Sequence, residues 1–289
     1  MELKKWREDN SNCDLYCVIG DPIAQSKSPL MHNKAFQELG LNAIYGAFQV
    51  KEEELAHFMQ EVRDCGIAGL NVTIPHKLNV MAYLDEIDQD AQELGAVNTI
   101  VNRDGKLIGY NTDGIGYVRS LKEEAIESLE QKHIVVIGAG GAARGIVHAL
   151  LKEKPASIVL VNRSVDRAQQ LASSLNHRGI ITVRSLDQLE EACGIADVVI
   201  NTTSVGMYPN ADEQPAQGAW LKAGAVASDL IYNPLYTRFV DDAEQHGCKK
   251  HGGLGMFIYQ GAYAFEYWTD KHAPVDVMRK AVLQALTGI

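Results

Sequence analysis

The run HIVVIGAGGAARGIVHALL, beginning at His133 and followed by SIVLVNR, constrains the fold of this chain more than any other stretch. A short apolar strand ends in Gly138-Ala139-Gly140-Gly141-Ala142, a helix opens there, and a second apolar strand follows. Strand, glycine turn, helix and strand in that order predict a parallel pair joined by a right-handed crossover. Backbone amides at such a helix start can approach a pyrophosphate with no Cβ in the way. The spacing is G-x-G-G-A-A, with Ala143 in place of the third glycine of the usual fingerprint, and a small residue there still allows close helix-to-strand packing. Gly138, Ala139, Gly140, Gly141 and Ala142 are therefore candidate dinucleotide-binding positions.

The end of the second strand indicates which dinucleotide. An NAD enzyme usually places an acid there to bind the ribose hydroxyls. This chain has Asn162, Arg163 and Ser164, then Arg167. Two guanidiniums with a hydroxyl and an amide suit a 2′-phosphate, which a carboxylate would repel. NADP is expected over NAD, the alternative being a solvated helix start, since Asp166 lies among the arginines.

Alternation continues through the rest of the chain. Leu15 to Ile19 reads as a strand, and Ser28-Pro29 as an N-cap followed by the first helical residue, with Met31, Ala35, Phe36 and Leu39 at helical spacing up to Gly40. Leu55, Phe58, Met59 and Val62 form a second stripe ended by Gly66. Leu70, Val72 and Ile74 alternate as a strand with Asn71 and Thr73 on its opposite face. Pro75 is expected to open a helix over 77–84, and another helix ends at Gly95. Ala96 to Val101, Asp104-Gly105 and Leu107 to Tyr110 read as a hairpin. Further strands are expected over 180–183, 197–201 and 226–230. Both halves are thus expected to be α/β with parallel sheets.

Composition narrows the function classes. A length of 289 residues suits two compact domains, and a net charge of -10, from 27 Lys+Arg against 37 Asp+Glu, disfavours nucleic acid and anionic membranes as partners. No apolar run approaches the roughly 20 residues that span a bilayer, and Met1 to Asn12 lacks a signal-peptide core, so a cytoplasmic location is the default expectation. The five cysteines, Cys13, Cys17, Cys65, Cys193 and Cys248, are scattered without a C-x-x-C pair and read as reduced thiols; no metal site is expected.

Two polar segments lie ahead of the nucleotide loop: GLNVTIPHK, ending at Lys77, and GYNTDG, holding Asp113. Together they read as a proton-transfer pair beside a dinucleotide site. Lys77 is expected in the first turn of a helix, where the macrodipole disfavours a cation, so its placement points to function. Asp113 reads equally as an Asx turn or helix cap and as a catalytic group. His32 and His76, each beside a helix start, read as structural and stay outside the mechanism.

GDPIAQSKSP, GLNVTIPHK, GAVNT, GYNTDG, GAGGAAR, NRSVDR, NTTSVGM, DLIYNP and GLGMFIYQGAYAFE occur in an order and spacing that resemble the shikimate/quinate dehydrogenase family over nearly the whole chain from Leu15. NVTIPHK and NTD are the most specific blocks. The resemblance implies two α/β domains with a substrate cleft between them. A substrate-binding and catalytic domain would span 1–115 and a Rossmann-type, doubly wound NADP-binding domain 116–250, with a helical segment over 251–289 returning to the first. It implies NADPH-dependent, reversible reduction of 3-dehydroshikimate to shikimate, in the pathway to chorismate and the aromatic amino acids. By the same resemblance Ser26 and Ser28 would take the substrate carboxylate, and Asn71, Thr73, Asn98 and Gln260 its hydroxyls. Lys77 and Asp113 would form the catalytic pair, with Tyr232 approaching the substrate. Thr203, Ser204, Met207, Gly253 and Met256 would line the nicotinamide side. Family members occur as monomers and dimers, so a homodimer is one expected assembly. The alternatives are a dual quinate/shikimate dehydrogenase, a relative acting on another cyclic hydroxy acid, and a catalytically silent NADPH-binding regulator. Retention of Lys77 with Asp113 argues against the last.

Overall fold

A computed structural model describes residues 2–175 and 179–288. The chain divides into two compact units, Met1–Thr112 with Gln260–Ile289, and Asp113–Tyr259.

The first unit runs α1 (Glu2–Asp9), β1 (Asp14–Gly20), α2 (Ser28–Glu38), β2 (Ala43–Gln49), α3 (Leu55–Asp64), β3 (Gly69–Val72), β4 (Glu86–Ile87), α4 (Gln89–Leu94), β5 (Thr99–Arg103) and β6 (Lys106–Tyr110). Its six strands lie in the order β2-β1-β3-β5-β6-β4. The sheet is mixed, with the parallel pairing expected of alternating strands and helices in one part and the expected hairpin in the other. β1 pairs in parallel with β2 and β3, but β5 runs antiparallel to both β3 and β6. The cause is local: Asp104 (φ 53) and Gly105 (φ 88) both take the left-handed conformation that a two-residue hairpin turn requires, and a hairpin forces antiparallel pairing.

Three further expectations shift. Ser28 is not the N-cap of α2. Lys27 holds that position with an already helical backbone (φ -91, ψ -1), so the turn starts one residue earlier and Ser28 lies inside the helix, its side chain buried. β3 stops at Val72, and the chain leaves the sheet in a turn containing the cis Ile74–Pro75 bond, which leaves Ile74 72% exposed rather than on an apolar face. Lys77 sits in that turn and not in an α-helix. Its carbonyl accepts from Val97 N (2.8 Å) while Met81 N turns to Leu78 O (3.3 Å), so the ladder that would make 77–84 an α-helix is diverted, and a 3₁₀ segment over Asn79–Tyr83 follows. The macrodipole argument for Lys77 therefore falls away.

One face of this sheet buries Leu15, Cys17, Ile19, Val62, Leu70 and Ile100. The other carries a ring cluster in which Tyr16 lies 5.1 Å from both Phe36 and Trp268. Gly69 is required beneath it, because an added Cβ would stand 2.3 Å from Trp268 Nε1, which donates to Ile100 O at 2.9 Å.

The second unit runs α5 (Asp113–Glu124), β7 (His133–Ile137), α6 (Gly141–Lys152), β8 (Ser157–Val161), α7 (Val165–Ser174), β9 (Ile181–Arg184), α8 (Leu189–Ile195), β10 (Val198–Asn201), β11 (Val226–Asp229), α9 (Arg238–Gln245) and β12 (Lys249–His251). α10 (Leu254–Thr269) then carries the chain back, and α11 (Val275–Thr287) packs against α2. All six strands are parallel, in the order β12-β11-β10-β7-β8-β9. This is the expected doubly wound sheet, with apolar side chains filling both faces. The strand order reverses between β7 and β10, and in such sheets ligands bind at the carboxyl ends of the strands flanking that reversal. Gly138 follows β7 and Thr202 follows β10, so the glycine turn stands at the switch point.

Candidate active site

In the first unit several of the expected substrate residues join one polar chain. The Ser26 hydroxyl accepts from Ser28 N (3.3 Å), and the Ser28 side chain lies beside Tyr45, whose pKa it pulls down against the effect of burial. The Tyr45 hydroxyl donates to Asn71 Oδ1 (2.7 Å). Asn71 Nδ2 donates to Asn98 O (3.3 Å) and Thr99 Oγ1 (3.1 Å), and Asn98 Nδ2 donates to Thr112 Oγ1 (3.0 Å). Asn98 Oδ1 accepts from Thr112 N at 2.8 Å. Ser28, Asn71, Asn98, Thr99 and Thr112 are all buried, and buried polar groups linked in this way hold one another's rotamers fixed.

The remaining residues of this unit attach to the same strands. Thr73 N donates to Ile19 O (3.0 Å), and Lys77, half-buried, is tied through its carbonyl to Val97, the neighbour of Asn98. Gln260 precedes Gly261, where an added Cβ would stand 2.2 Å from Met31 Cε, so α10 lies tightly on α2 at that level. The two histidines behave as structural groups. His32 stacks on Tyr45 (centroids 4.5 Å apart) and burial pushes its pKa down to about 3, while the His76 ring Nε2 lies 2.6 Å from Val50 O.

Tyr45, Thr99 and Thr112 were not singled out from sequence. Tyr45 escaped because β2 is an edge strand with only Tyr45 and Phe48 buried, which leaves a weak alternation. Thr99 and Thr112 had a signal, since each sits in a polar block beside an asparagine. Burial raises the Tyr45 pKa well above the usual phenol value, so the hydroxyl stays a donor.

The second unit holds the candidate cofactor residues. Gly138 has φ +113, and an added Cβ would meet Thr202 Oγ1 at 2.5 Å and Thr203 Cγ2 at 3.0 Å, so only glycine fits where the two loops touch. By contrast a Cβ at Gly140 or Gly141 would meet nothing within 4 Å. Gly140 caps α6 with extended backbone and, having no side chain, offers no acceptor of its own to the first helix amides. That geometry fits a pyrophosphate. Ala139 is half-buried and Ala142 exposed in the same turn.

Asn162 Nδ2 donates to Ser164 O (2.8 Å), and Arg163 and Arg167 are exposed around the start of α7. Ser204 and Met207 are exposed and joined by a turn hydrogen bond (3.1 Å). Gly253 presses on the strand end after β11, where an added Cβ would lie 2.1 Å from Leu230 O, and Met256 packs on the core. Tyr232 stacks on Phe257 with centroids 4.8 Å apart, and burial raises its pKa. Asp113 is the first residue of α5, and Gly114 beside it lies on α6, an added Cβ falling 2.6 Å from Gly145 O. Of the expected catalytic pair, Lys77 thus belongs to the first unit and Asp113 to the second.

A doubly wound parallel sheet with a glycine turn at its switch point, in a chain that also builds a separate buried polar array, defines a dinucleotide-binding protein of the α/β class. Residues 18–100 match the family model for the shikimate dehydrogenase substrate binding domain, residues 120–213 that for shikimate / quinate 5-dehydrogenase, and residues 253–283 that for the shikimate 5′-dehydrogenase C-terminal domain. The chain belongs to the shikimate dehydrogenase family. It is 49% identical over 274 residues to a shikimate dehydrogenase (NADP+) of a Geobacillus strain, covering 95% of this chain and 99% of that one. A crystal structure of a shikimate dehydrogenase in complex with NADP+ superposes with a TM-score of 0.89 at 44% identity, covering 96% of this chain and 97% of that one. The Listeria monocytogenes shikimate 5-dehydrogenase, in complex with shikimate and NAD, gives 0.88 at 36% identity, covering 93% and 96%. Among the described residues no helix is long and apolar enough to cross a membrane.

Proposed function

We propose that this chain catalyses the reversible, NADPH-dependent reduction of 3-dehydroshikimate to shikimate. The observation that carries the proposal is the polar array in which the half-buried Ser26 and buried Ser28 lie beside Tyr45, and Tyr45 bonds on through Asn71 to Asn98 and Thr112, one residue ahead of Asp113 and next to the segment of Lys77. Such an array suits a polyhydroxylated acid, because an analogue that lacks a hydroxyl leaves buried groups unpaired. We assign the substrate to the first unit, with the serines on its carboxylate and Asn71, Thr73, Asn98 and Gln260 on its hydroxyls, and the cofactor to the second. Gly138 to Ala142 would hold the pyrophosphate and Asn162, Arg163, Ser164 and Arg167 the 2′-phosphate, with Thr203, Ser204, Met207, Gly253 and Met256 at the nicotinamide end.

When bound, NADPH supplies the hydride that reduces the ring ketone. Lys77 stabilises the charge that builds on the ketone oxygen and donates the proton to it. By the family resemblance Asp113 would orient the substrate hydroxyl and the lysine, and Tyr232 would approach the substrate. We also take the enzyme to be cytoplasmic, and its net charge of -10 disfavours nucleic-acid partners.

Two measurements test the details. Replacing Arg163 should cost roughly 1.5–3 kcal/mol of NADP affinity, about 10- to 100-fold, and much less of NAD affinity. Steady-state kinetics with both cofactors check this, and equal losses would make the arginine a structural residue. In the oxidative direction with NADP, kcat/KM for shikimate should exceed that for quinate by at least about tenfold, roughly 1.4 kcal/mol, because quinate adds a hydroxyl at the carbon bearing the carboxylate and needs more room beside Ser26 and Ser28. Comparable values for the two acids would favour the dual quinate/shikimate alternative.

A further inference from the structure

The second unit contains a fully buried carboxylate to which none of the roles above gives a task. Asp229, the last residue of β11, is 0% exposed. Its Oδ2 accepts from Asn201 Nδ2 (3.0 Å) and from the Thr237 hydroxyl (2.7 Å), and its Oδ1 accepts from Ile231 N (3.0 Å). Asn201 extends the linkage into the loop after β10. Its Oδ1 accepts from Thr203 N (3.0 Å) and Thr203 Oγ1 (2.7 Å), and its Nδ2 also donates to Val205 O (3.1 Å). Thr203 Oγ1 in turn accepts from Val205 N at 3.2 Å. Gly206, at φ +94, lies against Thr237, whose Cβ would stand 3.4 Å from an added Cβ.

Two features show that this linkage does more than fill space. Thr237 occupies the N-cap position of α9 yet makes no side-chain cap hydrogen bond; its hydroxyl is turned to Asp229 instead. Burying a carboxylate is also unfavourable in itself. Desolvation pushes the Asp229 pKa up to about 6, against the pull of the donors from Asn201, Ile231 and Thr237.

We propose that Asp229 is a positioning residue that latches the 202–207 loop, carrying Thr203, Ser204 and Met207, to the 229–232 segment, carrying Tyr232. Through Asn201 and Thr237 it sets both strand-end loops in one arrangement. The nicotinamide-side residues and the substrate-side tyrosine of this unit are then aligned before either ligand arrives. The inference rests on the assignment of function above.

Three variants of the full chain test it. Thr237→Val keeps the shape and removes the hydroxyl, Thr237→Ser keeps the hydroxyl, and Asp229→Asn keeps the shape and removes the charge. Calorimetric titration with adenosine 2′,5′-bisphosphate probes the glycine-turn and arginine end alone, while NADP adds the nicotinamide side. In Thr237→Val and Asp229→Asn, kcat for shikimate oxidation is expected to fall about 10- to 100-fold, while the bisphosphate Kd stays within about twofold. NADP affinity should fall relative to bisphosphate affinity, and Thr237→Ser should restore the parent values. Parent-like kcat and NADP affinity in Thr237→Val would overturn the latch. So would bisphosphate affinity falling in step with kcat, the sign of a network that merely supports the whole unit. Should Asp229→Asn fail to fold, the two Thr237 variants decide between these outcomes. A parent chain that binds NADP but oxidises no shikimate would sink the assignment of function, and the ratio of NADP to bisphosphate affinity would still decide the latch.

Discussion

Replacing Lys77 with alanine is expected to lower kcat by about 10²–10⁴-fold, the range for loss of a positioned acid/base group, with little change in stability. Lys77 lies in a turn, half-buried, and the turn is held by backbone bonds from Val97 N to Lys77 O and from His76 N to Thr73 O, which the substitution leaves in place. KM for shikimate should change far less than kcat, since the carboxylate and hydroxyl partners proposed above, Ser26, Ser28, Asn71, Thr73, Asn98 and Gln260, do not include Lys77. Near-parent turnover in this variant would remove Lys77 from the mechanism.

Asp113→Asn keeps the shape and removes the charge, and its kcat is expected to fall by about 10²-fold or more. Asp113 opens α5, where a negative charge also favours the helix start, a contribution worth about 0.3–1 kcal/mol that the same substitution should remove. Thermal unfolding and steady-state kinetics on one preparation separate the two roles. A variant that is less stable but turns over normally would make Asp113 a helix-start residue. Its position is not free to drift, because Gly114 lies against the Gly145 carbonyl and fixes where α5 begins on α6.

The second unit was largely legible in the sequence. Its β7-α6-β8 stretch announces itself because a buried parallel strand reads as a continuous apolar run, and the glycines mark the one place where backbone must approach a neighbour or a ligand closely. Gly138 confirms that logic at Thr202 and Thr203. The hairpin at Asp104-Gly105 was legible for a comparable reason, as left-handed backbone at consecutive residues selects a narrow set of residue types.

The first unit was less so. The rule that alternating strands and helices give parallel sheets does not survive a local hairpin, and β5 with β6 turned the sheet mixed. Val72 and Ile74 look equivalent in the sequence, yet Val72 is buried in the sheet while Ile74 stands exposed in the turn beyond it. The expected helix over 77–84 failed for a tertiary reason, the claim of Val97 on the Lys77 carbonyl, that no local pattern records. Tyr45 was missed because its importance comes from two distant partners, Ser28 and Asn71, and an edge strand gives little periodicity of its own. The residues assigned to the ligands come in polar blocks that stand out, whereas Tyr45 and Asp229 become visible only once the strands are side by side.

The central claim is that the buried polar array serves a reduction of 3-dehydroshikimate, and the loss of NADPH absorbance on mixing purified protein, NADPH and 3-dehydroshikimate tests it most directly. Substrate-dependent oxidation of NADPH that yields shikimate, and that is abolished to within the range given above in Lys77→Ala, is the expected result. NADPH binding without any dehydroshikimate-dependent oxidation would contradict the account and leave a cofactor-binding protein with another task.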